Sequence, residues 1–328
     1  MHAHGVCVAV GDAHEMRFWK QACLALMLVA SSTAASAQSV VPVVTGLSNP
    51  FGLAIDGSGN LFIGDAGTGA VYEAFAPSYQ TRRQLAVGAP NTPTGAEGVA
   101  VDKNGNVFVA DDGDGSVKEI LAPGYTTVVV LANSGLGLMR DIAVDSNENL
   151  FVTDFTDGEI FELPASNYAS PVSIGSGFNS PFGVALDASG NVFVASDNLP
   201  AIYEILAAGG YTTVNTLTTP VGHLRGILFD PRGNLFYTSE ETDGIYEAFA
   251  VGGYANSKQI TGISGSLNAI ALDKSGNIFA ASGHVLTGEI DEIIGVEPVP
   301  TLPPGGLALL GLVLGGSAWR LLRRRPVG

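Results

Sequence analysis

From residue 50 to residue 294, short apolar runs alternate with polar, glycine-bearing breaks. The runs "GLAID", "GVAVD", "DIAVD", "GVALD", "GILFD" and "AIALD" each lead into a break of the type "DGSGN" and then a second run such as "NLFIGD", "NVFVAD" or "NVFVAS". Both runs are almost continuously apolar, which predicts short strands covered on both faces. The break predicts a tight hairpin. Asp bonds its own backbone two residues on, Gly takes a positive φ without a Cβ clash, and Asn tolerates one. A third run, "VYEAFA", "VKEILA", "IFELPA", "IYEILA", "IYEAFA" or "IDEIIG", alternates apolar and polar positions more, as a strand nearer water does. Tyr79, Tyr125, Tyr168, Tyr211 and Tyr254 follow it in five of the units, ahead of a Thr/Val-rich fourth strand such as "TTVVVL".

The hairpin aspartates Asp56, Asp102, Asp145, Asp187, Asp230 and Asp273 recur with a period of about 43 residues, the length of one four-stranded propeller blade. The chain is therefore predicted to be all-β, a six-bladed β-propeller. The sixth unit breaks off after "IDEIIG", while "VVPVVTGLSNP" (40–50) reads as a fourth strand leading into a first. The N-terminal strand is expected to complete the sixth blade and close the ring, leaving no inner blade edge unpaired. The blade phrase, of the form Pro-x-Gly-Val-Ala-Val-Asp, Gly-Asn-Val-Phe-Val-Ala-Asp and Val-x-Glu, resembles NHL-repeat propellers over residues 49–294. More distantly it is similar to gluconolactonase-type and virginiamycin B lyase-type propellers. That resemblance implies the fold and leaves the activity open, because such propellers range from binding scaffolds to lactonases and lyases.

The two ends read differently. "MRFWKQACLALMLVASSTAASAQ" from Met16 has a basic start (Arg17, Lys20), an apolar stretch and the small-residue site "ASA" (35–37). Residues 1–37 are expected to be a signal peptide with an over-extended start, cleaved after Ala37. Both cysteines, Cys7 and Cys23, fall inside it, so the expected mature chain has no thiol chemistry. The propeller is expected over 38–296, a Pro-rich spacer over 297–304, and a hydrophobic segment ending in Arg323, Arg324 and Arg325 over 305–328. An apolar run of this length just spans a bilayer, with the arginines on the cytoplasmic side. The order of motif, span and arginine cluster resembles bacterial PEP-CTERM sorting tails, although "VEPVPTLPP" stands where a strict Pro-Glu-Pro would. That resemblance implies an exosortase-like processing protease as partner, membrane contact through the tail and delivery to the bacterial cell surface. Simple anchoring is the alternative.

Charge narrows the partners. Residues 38–300 carry 29 acidic against 9 basic side chains, a balance that repels a nucleic-acid backbone and favours solubility or cation binding. The 43 glycines and the 14% share of charged residues fit strands and turns rather than helices.

Chemistry is expected where the repeat is broken. The residue ahead of each first strand points to the channel mouth, and it differs from blade to blade: Phe51, Glu97, Arg140, Phe182, Arg225 and Asn268. Two arginines and a glutamate between phenylalanine walls suit a small anionic ligand, a carboxylate or a phosphate. Alternatively, Glu97 bridges one of the arginines and the set plugs the channel. Around the mouth an acidic rim is expected from Asp65, Asp111, Asp112, Asp114, Asp154, Asp157, Asp197, Glu240, Glu241 and Asp243. Within it "DDGDGS" offers Asp111, Asp112 and Asp114 to calcium or another divalent metal, without the full EF-hand pattern. The leading expectation is a non-enzymatic module that binds a protein or small anionic ligand. The alternative is a metal-assisted lactonase or lyase using Glu97, His223, His284 and Asn268, roles that the resemblance implies.

Overall fold

The computed structural model describes residues 39–294 apart from 87, 134, 220, 264 and 284–287. The described residues form six antiparallel sheets of four strands each. Blade 1 runs outward through Pro50–Ile55, Leu61–Asp65, Ala70–Ala74 and Arg82–Gln84. Blades 2 to 5 repeat that order from innermost strands Ala96–Val101, Met139–Val144, Pro181–Leu186 and Leu224–Phe229. Blade 6 has Ser266–Leu272, Ile278–Gly283 and Gly288–Ile294, and its outermost strand is Ser39–Leu47. The fold is a six-bladed β-propeller, closed as the repeat count predicts. Val40 faces Ile293 and Val44 faces Ile290 across the closing pair. Arg82 reinforces the seam by donating to the Thr45 carbonyl at 2.6 Å and to the Gly46 carbonyl at 3.1 Å.

The core lies between blades. Every residue of Leu61–Asp65, Val107–Asp111, Leu150–Asp154, Val192–Ser196 and Leu235–Ser239 is buried. Leu61 and Ile63 pack with Phe279, Ala281 and Ile290 of blade 6, while Phe62, on the other face, packs with Val107 and Val109 of blade 2. Each such side chain stabilises the fold by about 1.5–3 kcal/mol through burial. Gly52 and Gly183 sit where a Cβ would collide with the Glu97 and Arg225 carbonyls of the next blade. Between other blades side chains make the link. Thr153 donates to the Phe182 carbonyl at 2.9 Å, Thr238 to the Leu267 carbonyl at 3.0 Å, and Asn268 to the Pro50 carbonyl at 3.1 Å.

The recurring hairpin is a latch. Asp56 Oδ1 accepts the Ser58 and Asn60 backbone N–H groups, and Asn60 donates to Asp56 Oδ2 while accepting the Ala76 N–H. The same bonds return at Asp187 and Asn191. The tyrosines complete it. Tyr79, Tyr125 and Tyr254 have φ values of 57°, 54° and 63° and donate to the carbonyls of Gly59, Gly105 and Gly233.

The expected signal segment at 1–37, the spacer at 297–304, the tail at 305–328 and His284 lie outside the described residues. Among the described residues no helix is long and apolar enough to cross a membrane.

Candidate functional site

Each innermost strand starts beside the end of its neighbour in the sheet. Pro50 faces Asp65, Ala96 faces Asp111 and Pro181 faces Ser196. The loops before the first strand and after the second therefore share one face, and the six diversified residues meet there. Phe51 and Phe182, from opposite blades of the ring, stack at 5.2 Å with 25° between planes, so they close the channel mouth across its axis. Arg140 lies over both rings, at 5.3 and 6.0 Å, and over Phe155 at 5.0 Å. Arg225 lies over Phe182 at 5.1 Å. Each such cation–π contact stabilises the cluster by roughly 0.5–2 kcal/mol.

Of the two arrangements expected for the mouth, the structure has the bridge. One Nη of Arg140 donates to both oxygens of Glu97, at 2.6 and 2.7 Å. Glu97 is buried, and burial pushes its carboxyl up to about 7 against the lowering pull of Arg140. Asp112 nearby is also raised, first by burial and then by Asp111, with Arg140 acting against both. Arg225 is paired too. It contacts Glu240 and Ser266, donates to Asn268 Oδ1 at 2.8 Å, and reaches Asp197 at 3.4 Å. Both guanidinium groups already hold carboxylates, so a small anion entering the mouth would have to displace one.

The acidic rim is narrower than the sequence implies. Asp65, Asp111 and Asp154 are buried and bind the loops ahead of their own first strands. Asp65 accepts the Ser48 and Asn49 N–H groups, Asp111 those of Thr94 and Gly95, and Asp154 that of Gly137. Blades 4 and 5 tie the corresponding loops the other way round, with Ser196 and Ser239 hydroxyls donating to the loop carbonyls of Asn179 and Gly222. The carboxylates left at the surface are Asp112, Asp114, Asp157, Asp197, Glu240, Glu241 and Asp243, exposed or partly so.

At Asp111, Asp112 and Asp114, where calcium was expected, a residue of the adjacent strand joins the carboxylates. Lys118, with 1% of its side chain exposed, places Nζ 2.5 Å from Asp111 and 2.6 Å from Asp114. Its ammonium bridges the two carboxylates, and the contacts of Lys118 and Ser116 hold the Asp114 carboxyl below its ordinary value against the opposing effect of burial. Among the described residues no three metal-ligating side chains converge.

Of the alternative catalytic set, Glu97, Asn268 and His223 lie among the described residues, and each is engaged elsewhere. Both Glu97 oxygens are taken by Arg140, and Asn268 spends its amide on Arg225 and Pro50. His223 is 53% exposed and stands 3.9 Å from Asp197, at the edge of the face rather than in the channel. Sequence reasoning passed over Lys118, Phe155 and Ser266. Lys118 carried a usable signal, being the lone basic residue at a position that is Tyr72, Phe161, Tyr203 or Tyr246 in other blades.

No family model matches the chain, and no curated protein matches it. Solved structures do. A gluconolactonase from Xanthomonas campestris aligns at a TM-score of 0.64 with 15% identity, covering 78% of this chain and 90% of that one. A streptogramin B lyase aligns at 0.57 with 11% identity, over 78% and 97%. Virginiamycin B lyase from Staphylococcus aureus aligns at 0.56 with 12% identity, over 80% and 89%. At such identities the likeness is one of fold.

Proposed function

We propose that this chain is an exported, non-enzymatic binding module that engages a protein partner through the loop face around its closed channel mouth. The observation that carries this reading is the internally paired mouth. Phe51 stacks on Phe182, Glu97 is spent on Arg140, and Arg225 is spent on Glu240, Asp197 and Asn268. What remains open to a partner is the ring of surface carboxylates, which favours a basic protein surface over a small anion. The blade phrase supports an NHL-type assignment. The segments at 1–37 and 297–328 support export and a PEP-CTERM-like sorting route with an exosortase-like protease. The lactonase or lyase alternative rests on fold likeness to a gluconolactonase and to streptogramin B and virginiamycin B lyases.

The test uses the full chain and a Lys-rich model peptide. Binding should fall at least about tenfold, 1.4 kcal/mol, when Asp112, Asp157 and Asp243 become Asn. It should hardly change when Glu119, Glu162 and Glu204 on the third strands become Gln. Equal loss in both variants would mean net charge alone is read, and the face assignment would fail. Incubation with gluconolactone or a streptogramin B and divalent metals should give no turnover. Turnover abolished by Glu97→Gln would establish the enzyme reading instead.

A further inference from the structure

The channel has a second end, and the mouth residues do not line it. Behind the Phe51–Phe182 stack lies a cavity of about 320 Å³, bounded by the later halves of all six innermost strands. Leu53, Val99, Ile142, Val184, Ile227 and Ile270 form one ring of its wall. Among the described lining residues one side chain is ionisable, Asp141.

Asp141 occupies a position that is glycine in four of the other five blades. Its equivalents are Gly52, Gly98, Gly183, Gly226 and Ala269, and a Cβ on any of the four glycines would meet the backbone of the next blade. In blade 3 the carboxylate goes into that gap instead. It accepts the Ile142 N–H at 2.9 Å and the Val184 N–H of blade 4 at 3.0 Å. Each oxygen thus holds one backbone donor and keeps acceptor capacity. No cation stands among the groups acting on it, and burial pushes its carboxyl up to about 7. Protein surrounds the group, and the residue borders the cavity. An unpaired carboxylate in such a place is costly until a counter-charge joins it.

We propose that the channel cavity is a binding site for a small organic ammonium ion, its charged head on Asp141 and its body against the surrounding inner strand edges. The volume sits at the small end of the range for ligand pockets and is too large for a bare metal ion to fill. Otherwise uncharged walls with one acidic residue suit a small organic cation better than a phosphate. The inner strand edges add backbone acceptors for further N–H groups. The site is independent of the loop-face reading, because it lies on the other side of the aromatic closure.

Cyclohexylammonium chloride, with cyclohexanol as its neutral counterpart, tests the proposal on the full chain by methyl NMR and calorimetry. The ammonium should bind with one-to-one stoichiometry, shift the methyl signals of Ile142, Val184 and Ile227, and bind at least about tenfold more tightly than the alcohol. Asp141→Gly restores the residue other blades use and should fold, and Asp141→Asn keeps most of the shape. Both should lose at least tenfold in affinity. Three results would overturn the proposal: no saturation of the native chain below about 10 mM, equal affinity in both variants, or shifts clustered at the mouth. Calcium raising the melting temperature of the native chain but not of Asp141→Gly would replace the amine with a metal ion.

Discussion

The two faces of this ring are built by opposite rules. On the hairpin face, Asp, Gly and Asn recur in almost every blade, and each trio spends its polar groups within its own blade. On the mouth face, equivalent positions hold Phe, Glu, Arg, Phe, Arg and Asn, and their polar groups pair across blades. Uniform turns make the blades interchangeable as scaffold. Non-uniform mouth residues make the ring asymmetric, so each blade has only one place in the cycle that satisfies its neighbours.

The sharpest way to break that contrast is at Lys118. Removing one partner of a buried ion pair strands the other, so Lys118→Ala should cost about 3–5 kcal/mol in chemical denaturation. A cost below about 1 kcal/mol would show that Asp111 and Asp114 do not depend on it. Next comes pH. Glu97 and Asp141 are raised to about 7 and Asp291 to about 6, in each case first by burial. The folded form therefore holds protons that the unfolded chain releases near pH 4. Stability is fullest below pH 4 as far as these groups are concerned, and it declines as pH rises through 6 and 7. The melting temperature should drop by on the order of 5 °C between pH 5 and pH 8. Glu97→Gln together with Asp141→Asn should flatten the slope, and an unchanged slope would assign it elsewhere.

Smaller effects sharpen the uniform side. Asp145→Ala and Asp187→Ala each remove the same three latch bonds and should each cost about 1–2 kcal/mol, equal within roughly 0.5 kcal/mol. Unequal costs would contradict interchangeable blades. Smallest of all, Tyr79→Phe and Tyr254→Phe should each lose about 0.5–1.5 kcal/mol, the net value of one hydrogen bond.

How much of this was legible follows from the same contrast. The blades and the closing strand could be read because they repeat, and repetition separates architecture from accident. The mouth residues could be located but not paired. Glu97 had Arg140 and Arg225 as possible partners, and only the angle between neighbouring blades chooses Arg140. The rim was over-read because Asp65, Asp111 and Asp154 look like surface acids, whereas Ser196 and Ser239 in the same place show that the position caps a loop. Asp141 stood in plain view at the head of "DIAVD". A departure from glycine there means a side chain forced between strands, which is a statement about close approach that one-dimensional text does not contain.

The pairing of Ser39–Leu47 with Gly288–Ile294 has a consequence for how the molecule comes into being. Ser39–Leu47 leaves the ribosome about 240 residues before Gly288–Ile294 and must wait for it to find its partner. Until then blade 6 lacks its outer strand and the ring stays open, with apolar strand edges uncovered. Such long-separation pairing is slow, because the entropy of joining distant ends must be met before any contact rewards it. A chain of this design reaches its full stability in a single late step.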